Sequence, residues 1–237
     1  MSKRTLSLSC VAGIALTSVF AASAARASTF TYTASGTGGD GPESASATIT
    51  TGANSLVVSL SSLIANPTSA GQEVSGIFIT LGSAPTSDSL SSSSGTLIDI
   101  SPGGTVTSGG SAITHWGTSF SGSTVCLETA GDCAVGGKPI DLIIGSGPYA
   151  NANPSITGRD PQIQGTGTFD LAMLGITANT SVTGVTFEFG TGPDSSLVGV
   201  PVPHTPEPSS LILLGTGAIG AGFLLRRRMI ASATERT

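Results

Sequence analysis

The sequence predicts an all-β protein: an antiparallel β-sandwich body, preceded by a cleavable signal peptide and followed by a single transmembrane helix. Three observations predict it. The body is rich in Gly, Ser and Thr and is divided into short β-branched runs with period-two alternation. Turn signals such as GTGGDGP, ANPTSAG, SPGG and GSGPYANANP separate those runs. Outside the two chain ends, no window of about a dozen residues keeps a 3.6-residue period.

The elements follow in chain order. Residues 1–27 form the signal peptide. Lys3 and Arg4 give it a basic start, Leu6 to Ala22 an apolar stretch, and Ala25-Arg26-Ala27 an A-x-A cleavage site. Cys10 lies in the apolar stretch and leaves with it, so the mature chain begins near Ser28. The body spans 28–199. Its strand signals are STFTYTAS, SASATITT, SLVVSLSSL, VSGIFITL, GTLIDIS, AITHW, STVCLE, PIDLIIG, GTGTFDLAML and SVTGVTFEFG. The low-complexity run SAPTSDSLSSSSG reads as a surface loop. No fixed-period repeat is evident, which excludes a solenoid. A body of this length can bury a core.

The formal net charge of -5 hides an asymmetry. From Ser28 to Thr205 the only cations are Lys138 and Arg159, against twelve Asp and Glu, a net charge of -10. That excludes nucleic acid as a partner, because phosphate neutralisation needs Lys and Arg. It also disfavours anionic lipid surfaces. Cys126 and Cys133 remain after signal removal, enclosing six residues in CLETAGDC, and in an exported chain they read as a loop-closing disulfide. No histidine lies near enough for zinc, and neither a metal nor a cofactor is expected.

Candidate chemistry in the body is sparse. Asp88, Asp99, Asp141, Asp170 and Glu188 sit in separate strands or loops without a surrounding motif, so no catalytic residue is assigned. His115 and Trp116 read as neighbours on opposite faces of a strand, with a ligand contact as the second reading of each. Trp116, with Tyr32 and Tyr149, has the chemistry to stack on sugar rings, but core packing is the first reading for the indole. Asp40 with Glu43, and Glu128 with Asp132, read as turn residues ahead of calcium ligands.

Residues 200–208 are a spacer, VPVPHTPEP, whose proline density enforces an extended and accessible backbone. Ser209 to Leu225 contains no charge, and as a helix would reach about 25 Å. That is near the lower limit for a span, with snorkelling arginines supplying the difference. Arg226, Arg227 and Arg228 open the basic tail 226–237 and hold it on the cytoplasmic side, with the body outside. This order of Pro206-Glu207-Pro208, an apolar span and a terminal arginine cluster resembles the PEP-CTERM sorting signal of exported bacterial proteins. The resemblance covers about 30 residues and leaves the body unassigned. It implies recognition of Pro206, Glu207 and Pro208 by exosortase, an integral-membrane cysteine protease-transpeptidase. It also implies release to the cell surface or extracellular polymer matrix after transient anchoring with the body in the periplasm.

The first expectation for function is a non-enzymatic surface or matrix protein, structural or adhesive in an exopolysaccharide layer. A carbohydrate-binding module is the alternative and requires an exposed Trp116. A secreted hydrolase comes third and requires clustered carboxylates.

Overall fold

The computed structural model describes residues 27–110, 112–135, 139–192 and 195–203, together with Gly217. The expected signal peptide, apart from Ala27, lies outside the described residues. So do the triplet Pro206 to Pro208, the span 209–225 except Gly217, and Arg226, Arg227 and Arg228. Among the described residues, no helix is long and apolar enough to cross a membrane.

The described chain is all-β. In order it forms β1 (Ser28–Gly38), β2 (Gly41–Gly52), β3 (Ser55–Ser62), β4 (Val74–Leu81), β5 (Ser87–Ile100), β6 (Val106–Ser108) and β7 (Gly117–Ser121). Then follow β8 (Thr124–Glu128), β9 (Ile143–Ile144), β10 (Gln162–Leu174), β11 (Val182–Phe189), β12 (Ser195–Val198) and β13 (Val200–Pro201). A 3-10 turn at Ala70–Gln72 and the short helix α1 (Pro154–Thr157) complete it.

Alternation in the sequence settles the register of the first strands. Phe30, Ile49, Val58 and Phe169 lie opposite one another across β1, β2, β3 and β10, and point inward. The next row, Thr31, Thr48, Ser59 and Thr168, points outward. A slip of one residue would exchange those rows and expose the core, so burial itself pins the pairing. Hydroxyls on the outer face bond across strands, as in Ser35 with Ser44 at 2.7 Å and Ser61 with Thr166 at 2.7 Å.

All thirteen strands belong to one hydrogen-bonded sheet, whose main path runs β12-β11-β4-β9-β10-β3-β2-β1-β13. The two ends of that path, β12 and β13, are successive pieces of one extended segment. It leaves β11 and joins β1, so the path returns on itself. Gly199 makes the exchange. Its amide donates to Val185 O at 2.8 Å, and an added Cβ would lie 3.1 to 3.3 Å from Phe187, Val185 and Tyr32. Closing the path in this way leaves fewer unpaired edges. The main core fills its interior with Ile77, Ile79, Leu127, Phe169, Phe187 and Phe189 among others. A second, smaller cluster gathers Ile98, Ile100, Leu142, Ile144, Tyr149 and Ile156 near α1.

Two local expectations are overturned. The serine-rich run is not a loop: Ser87 to Gly95 is the first part of β5 and pairs with β10. Leu90 opposite Leu171 anchors it to the core, while Ser89, Ser91, Ser92 and Ser94 are exposed and need no burial. AITHW is not a strand either. Its residues form an irregular segment held by side-chain bonds, and His115 and Trp116 are not a strand pair.

Candidate functional site

Asp141 organises the irregular segment before β7. It is fully buried and adopts φ 61°, a left-handed conformation that Asp tolerates better than most residues. Its Oδ2 accepts the backbone amides of Thr114 and His115 at 2.8 and 3.1 Å. His115 Nδ1 lies 3.4 Å from the same oxygen and 3.0 Å from Thr114 Oγ1. The indole Nε1 of Trp116 donates to the Asp141 carbonyl at 2.8 Å. One residue therefore positions three consecutive neighbours.

Trp116 is 3 % exposed and packs on Phe169 with ring centroids 4.3 Å apart. Its faces are occupied by protein, so the stacking platform required of an exposed Trp116 is absent and the indole is a core residue. His115 is turned toward Thr114 and Asp141. The histidine-carboxylate pair was not legible from the sequence, because 26 residues separate the partners.

A groove of about 440 Å³ opens beside the buried indole. Ser89 to Ser93 of β5 form one wall, and Thr114 and Thr118 belong to the other. Leu90, Ile113, Trp116 and Val135 supply its apolar surface. Among the described residues, no charged side chain lines it.

The structure also assembles a carboxylate pair. Glu128 on β8 and Glu188 on β11 are both directly opposite Gly76, on the two sides of β4. Glycine is required between them: a Cβ there would lie 2.4 Å from Glu128 Cγ. Burial, with Glu128 beside it, pushes the Glu188 carboxyl up to about 7. Glu128 is also raised, first by burial and then by Asp132, against a lowering hydrogen bond from the Cys133 backbone. The neighbouring Glu128 carboxylate thus disfavours ionisation of Glu188. At 4 % and 9 % exposure, the two acids leave little room for a substrate bond between them. Of this pair, only Glu188 is among the acids that the sequence singles out as catalytic candidates. Asp88, Asp99, Asp141 and Asp170 do not join it, and Asp170 instead accepts the Ser92 hydroxyl at 2.6 Å.

Cys126 and Cys133 are joined, closing the loop beside Glu128. Glu128 lies within 4.8 Å of both sulfurs, but a disulfide offers no thiolate to a metal. The loop is short, so the constraint on the unfolded chain is modest. Replacing both cysteines by serine is expected to lower stability by roughly 2 kcal/mol. Urea denaturation is the measurement, and an unchanged midpoint would show that the bridge does not form in the exported protein. One acid of the candidate calcium turns, Glu43, has another role. Glu43 is 2 % exposed and accepts the Ser195 hydroxyl at 2.6 Å, tying the first hairpin to β12.

Together these observations define a rigid all-β body that leads into an extended C-terminal segment, with Val202 still bonded to Thr31 at 2.8 Å. Beyond it, residues 204–228 match the family model described as the PEP-CTERM protein-sorting motif. The chain thus carries the signal of an exported protein that exosortase sorts. No curated protein and no solved structure matches the chain, and the family of the body stays unassigned.

Proposed function

We propose that the chain is a non-catalytic surface or matrix protein, delivered by its tail and active through contact with an exopolysaccharide layer. The single observation that carries this reading is the match at 204–228, immediately after the strand that closes the body. In this reading the body is a sandwich-like scaffold, held in the periplasm by the 209–225 helix until the tail is cut near Pro206-Glu207-Pro208. Arg226, Arg227 and Arg228 stop translocation. Absence of catalysis is supported by the burial of the Glu128–Glu188 pair and by the engagement of His115 with Thr114 and Asp141.

The test is processing in native cells with and without exosortase. Mature protein is expected to begin near Ser28 and to lose Arg226 to Arg228 only where the enzyme is present. Glu207→Ala removes the charge between the prolines and leaves the span intact, so this variant should accumulate uncut in the inner membrane. The measurements are the masses of both termini and the membrane fraction. Wild-type protein that keeps its arginines in enzyme-containing cells would make the tail an ordinary anchor.

A further inference from the structure

The strand that closes the body breaks the surface pattern of its neighbours. Two outward rows cross β1, β2, β3 and β10: Thr31, Thr48, Ser59 and Thr168, then Thr33, Ser46, Ser61 and Thr166. Every residue in both rows carries a hydroxyl. β13 extends them with valines instead. Val200 lies opposite Thr33, and the Val202 amide donates to Thr31 O at 2.8 Å. On β12, Leu197 packs on the core and Gly199 faces Phe187, Val185 and Tyr32, which turns Val198 between them outward. Val198 and Val200 are the two most exposed large apolar side chains among the described residues, at 77 % and 64 %, and Val202 is 39 % exposed. Threonine forms strands about as well as valine, so pairing alone does not call for valine here.

The position of this row is equally specific. The family match begins at residue 204, just after Val202. From Val202 to Pro206 is four residues, at most about 14 Å of extended chain. An enzyme that holds Pro206-Glu207-Pro208 therefore meets the last strand of the body on the same approach. Ser195 to Thr205 contains no Asp, Glu, Lys or Arg, so an otherwise acidic body presents an uncharged face there. Covering exposed valine removes apolar surface from water and leaves no charge to desolvate.

We propose that Val198, Val200 and Val202 form a docking surface for the sorting enzyme, which holds the body in place while the Pro206-Glu207-Pro208 segment enters its site. The partner is a membrane enzyme, and an apolar surface beside its cleft complements an uncharged valine row. Bare lipid is a poorer occupant, because the row lacks the aromatic and basic side chains that hold a segment at an interface. A second copy is disfavoured by the charge of -10 on each body. The docking surface rests on the sorting reading above and adds to it a recognition element outside the linear motif.

The test follows tail removal from the full-length chain by pulse-chase, in cells with and without exosortase. Val198→Thr, Val200→Thr and Val202→Thr together keep side-chain shape and strand propensity while removing apolar surface. This triple variant should lose its tail at least about fivefold more slowly than wild type, and Val198→Thr alone about twofold more slowly. Leu174→Gln removes a half-exposed apolar residue elsewhere and should be cut at the wild-type rate. Near-UV circular dichroism and the unfolding midpoint of the released bodies establish that the fold is retained; if the triple variant is destabilised, Val198→Thr decides. The photo-crosslinker p-benzoylphenylalanine at position 200 should yield an adduct with exosortase, and at position 48 none. Wild-type cutting rates in the folded valine variants overturn the proposal, as does equal slowing by Leu174→Gln. Adducts from position 200 with only lipid or a second copy overturn it too. A wild-type chain left uncut in enzyme-containing cells removes the sorting reading and the docking surface together, whereas normal cutting of wild type beside unslowed valine variants removes the docking surface alone.

Discussion

Trp116→Ala is expected to lower the unfolding free energy by about 3–5 kcal/mol, the range for emptying a large aromatic site in a packed core. Three losses coincide at this position. The indole is 3 % exposed, so its apolar surface is almost wholly recovered from water on folding. Its tilted contact with Phe169, at a centroid distance of 4.3 Å, disappears. The Asp141 carbonyl loses the Nε1 donor at 2.8 Å, inside a buried site. Trp116→Phe separates these contributions, because it retains most of the ring packing and removes only the N–H. It should cost about 1–2 kcal/mol more than the change in packing explains. Urea denaturation of both variants with a common m-value is the measurement. A loss below about 1 kcal/mol for Trp116→Ala would place the indole outside the core and restore the case for an exposed sugar platform.

The contrast between this site and the rest of the chain shows what local sequence encodes. VSGIFITL coincides with β4, and SASATITT and GTGTFDLAML lie within β2 and β10, because their inward residues repeat at the strand period. β5 escapes such reading: Ser91 to Ser94 carry no apolar period, and the run becomes a strand only because β10 supplies its ladder. AITHW fails in the opposite sense. Its composition suits a strand, yet a buried carboxylate 26 to 27 residues away captures its amides and bends it. The Glu128–Glu188 pair is less legible still. Its two acids are separated by 60 residues and meet only through the register of β8, β4 and β11 across Gly76. The tail was readable for the reverse reason. Its recognition depends on a linear order of proline, acid, apolar span and arginines, which no tertiary contact is needed to define.

Those hidden carboxyls govern the second large effect: stability is expected to fall as pH rises from the ordinary carboxylate range through neutrality. Glu73 is fully buried, and neither oxygen has a hydrogen-bond partner. Burial raises its carboxyl well above the usual range, Asp160 raises it further, and Arg159 opposes the shift. Asp160 is raised by its own burial and by Asp99, against the Ile100 amide that it accepts. Arg159 is the only Lys or Arg among the described residues, so no second cation offsets the Glu128–Glu188 pair there. A carboxyl raised in the folded state stabilises the fold when protonated. That stability is complete below the unfolded-state value and is lost as pH climbs through the folded-state value. For Glu188 the window ends near 7, and its share is roughly 1–2 kcal/mol after screening from the solvent-facing side. Glu188→Gln carries no titrating proton there. It should match wild type near pH 5, exceed it at pH 8, and show a flatter profile between them. Glu73→Gln should shift stability at pH 8 in the same direction, since it removes a buried charge without a partner. Urea midpoints for wild type and both variants at pH 5, 6, 7 and 8 decide the matter. Superimposable wild-type and Glu188→Gln profiles would mean that the carboxyl at 188 is already ionised throughout, with the Gly76 slot open to water. A wild-type profile that rises toward pH 8 would show instead that the depressed carboxyls of ordinary acid denaturation outweigh the buried ones.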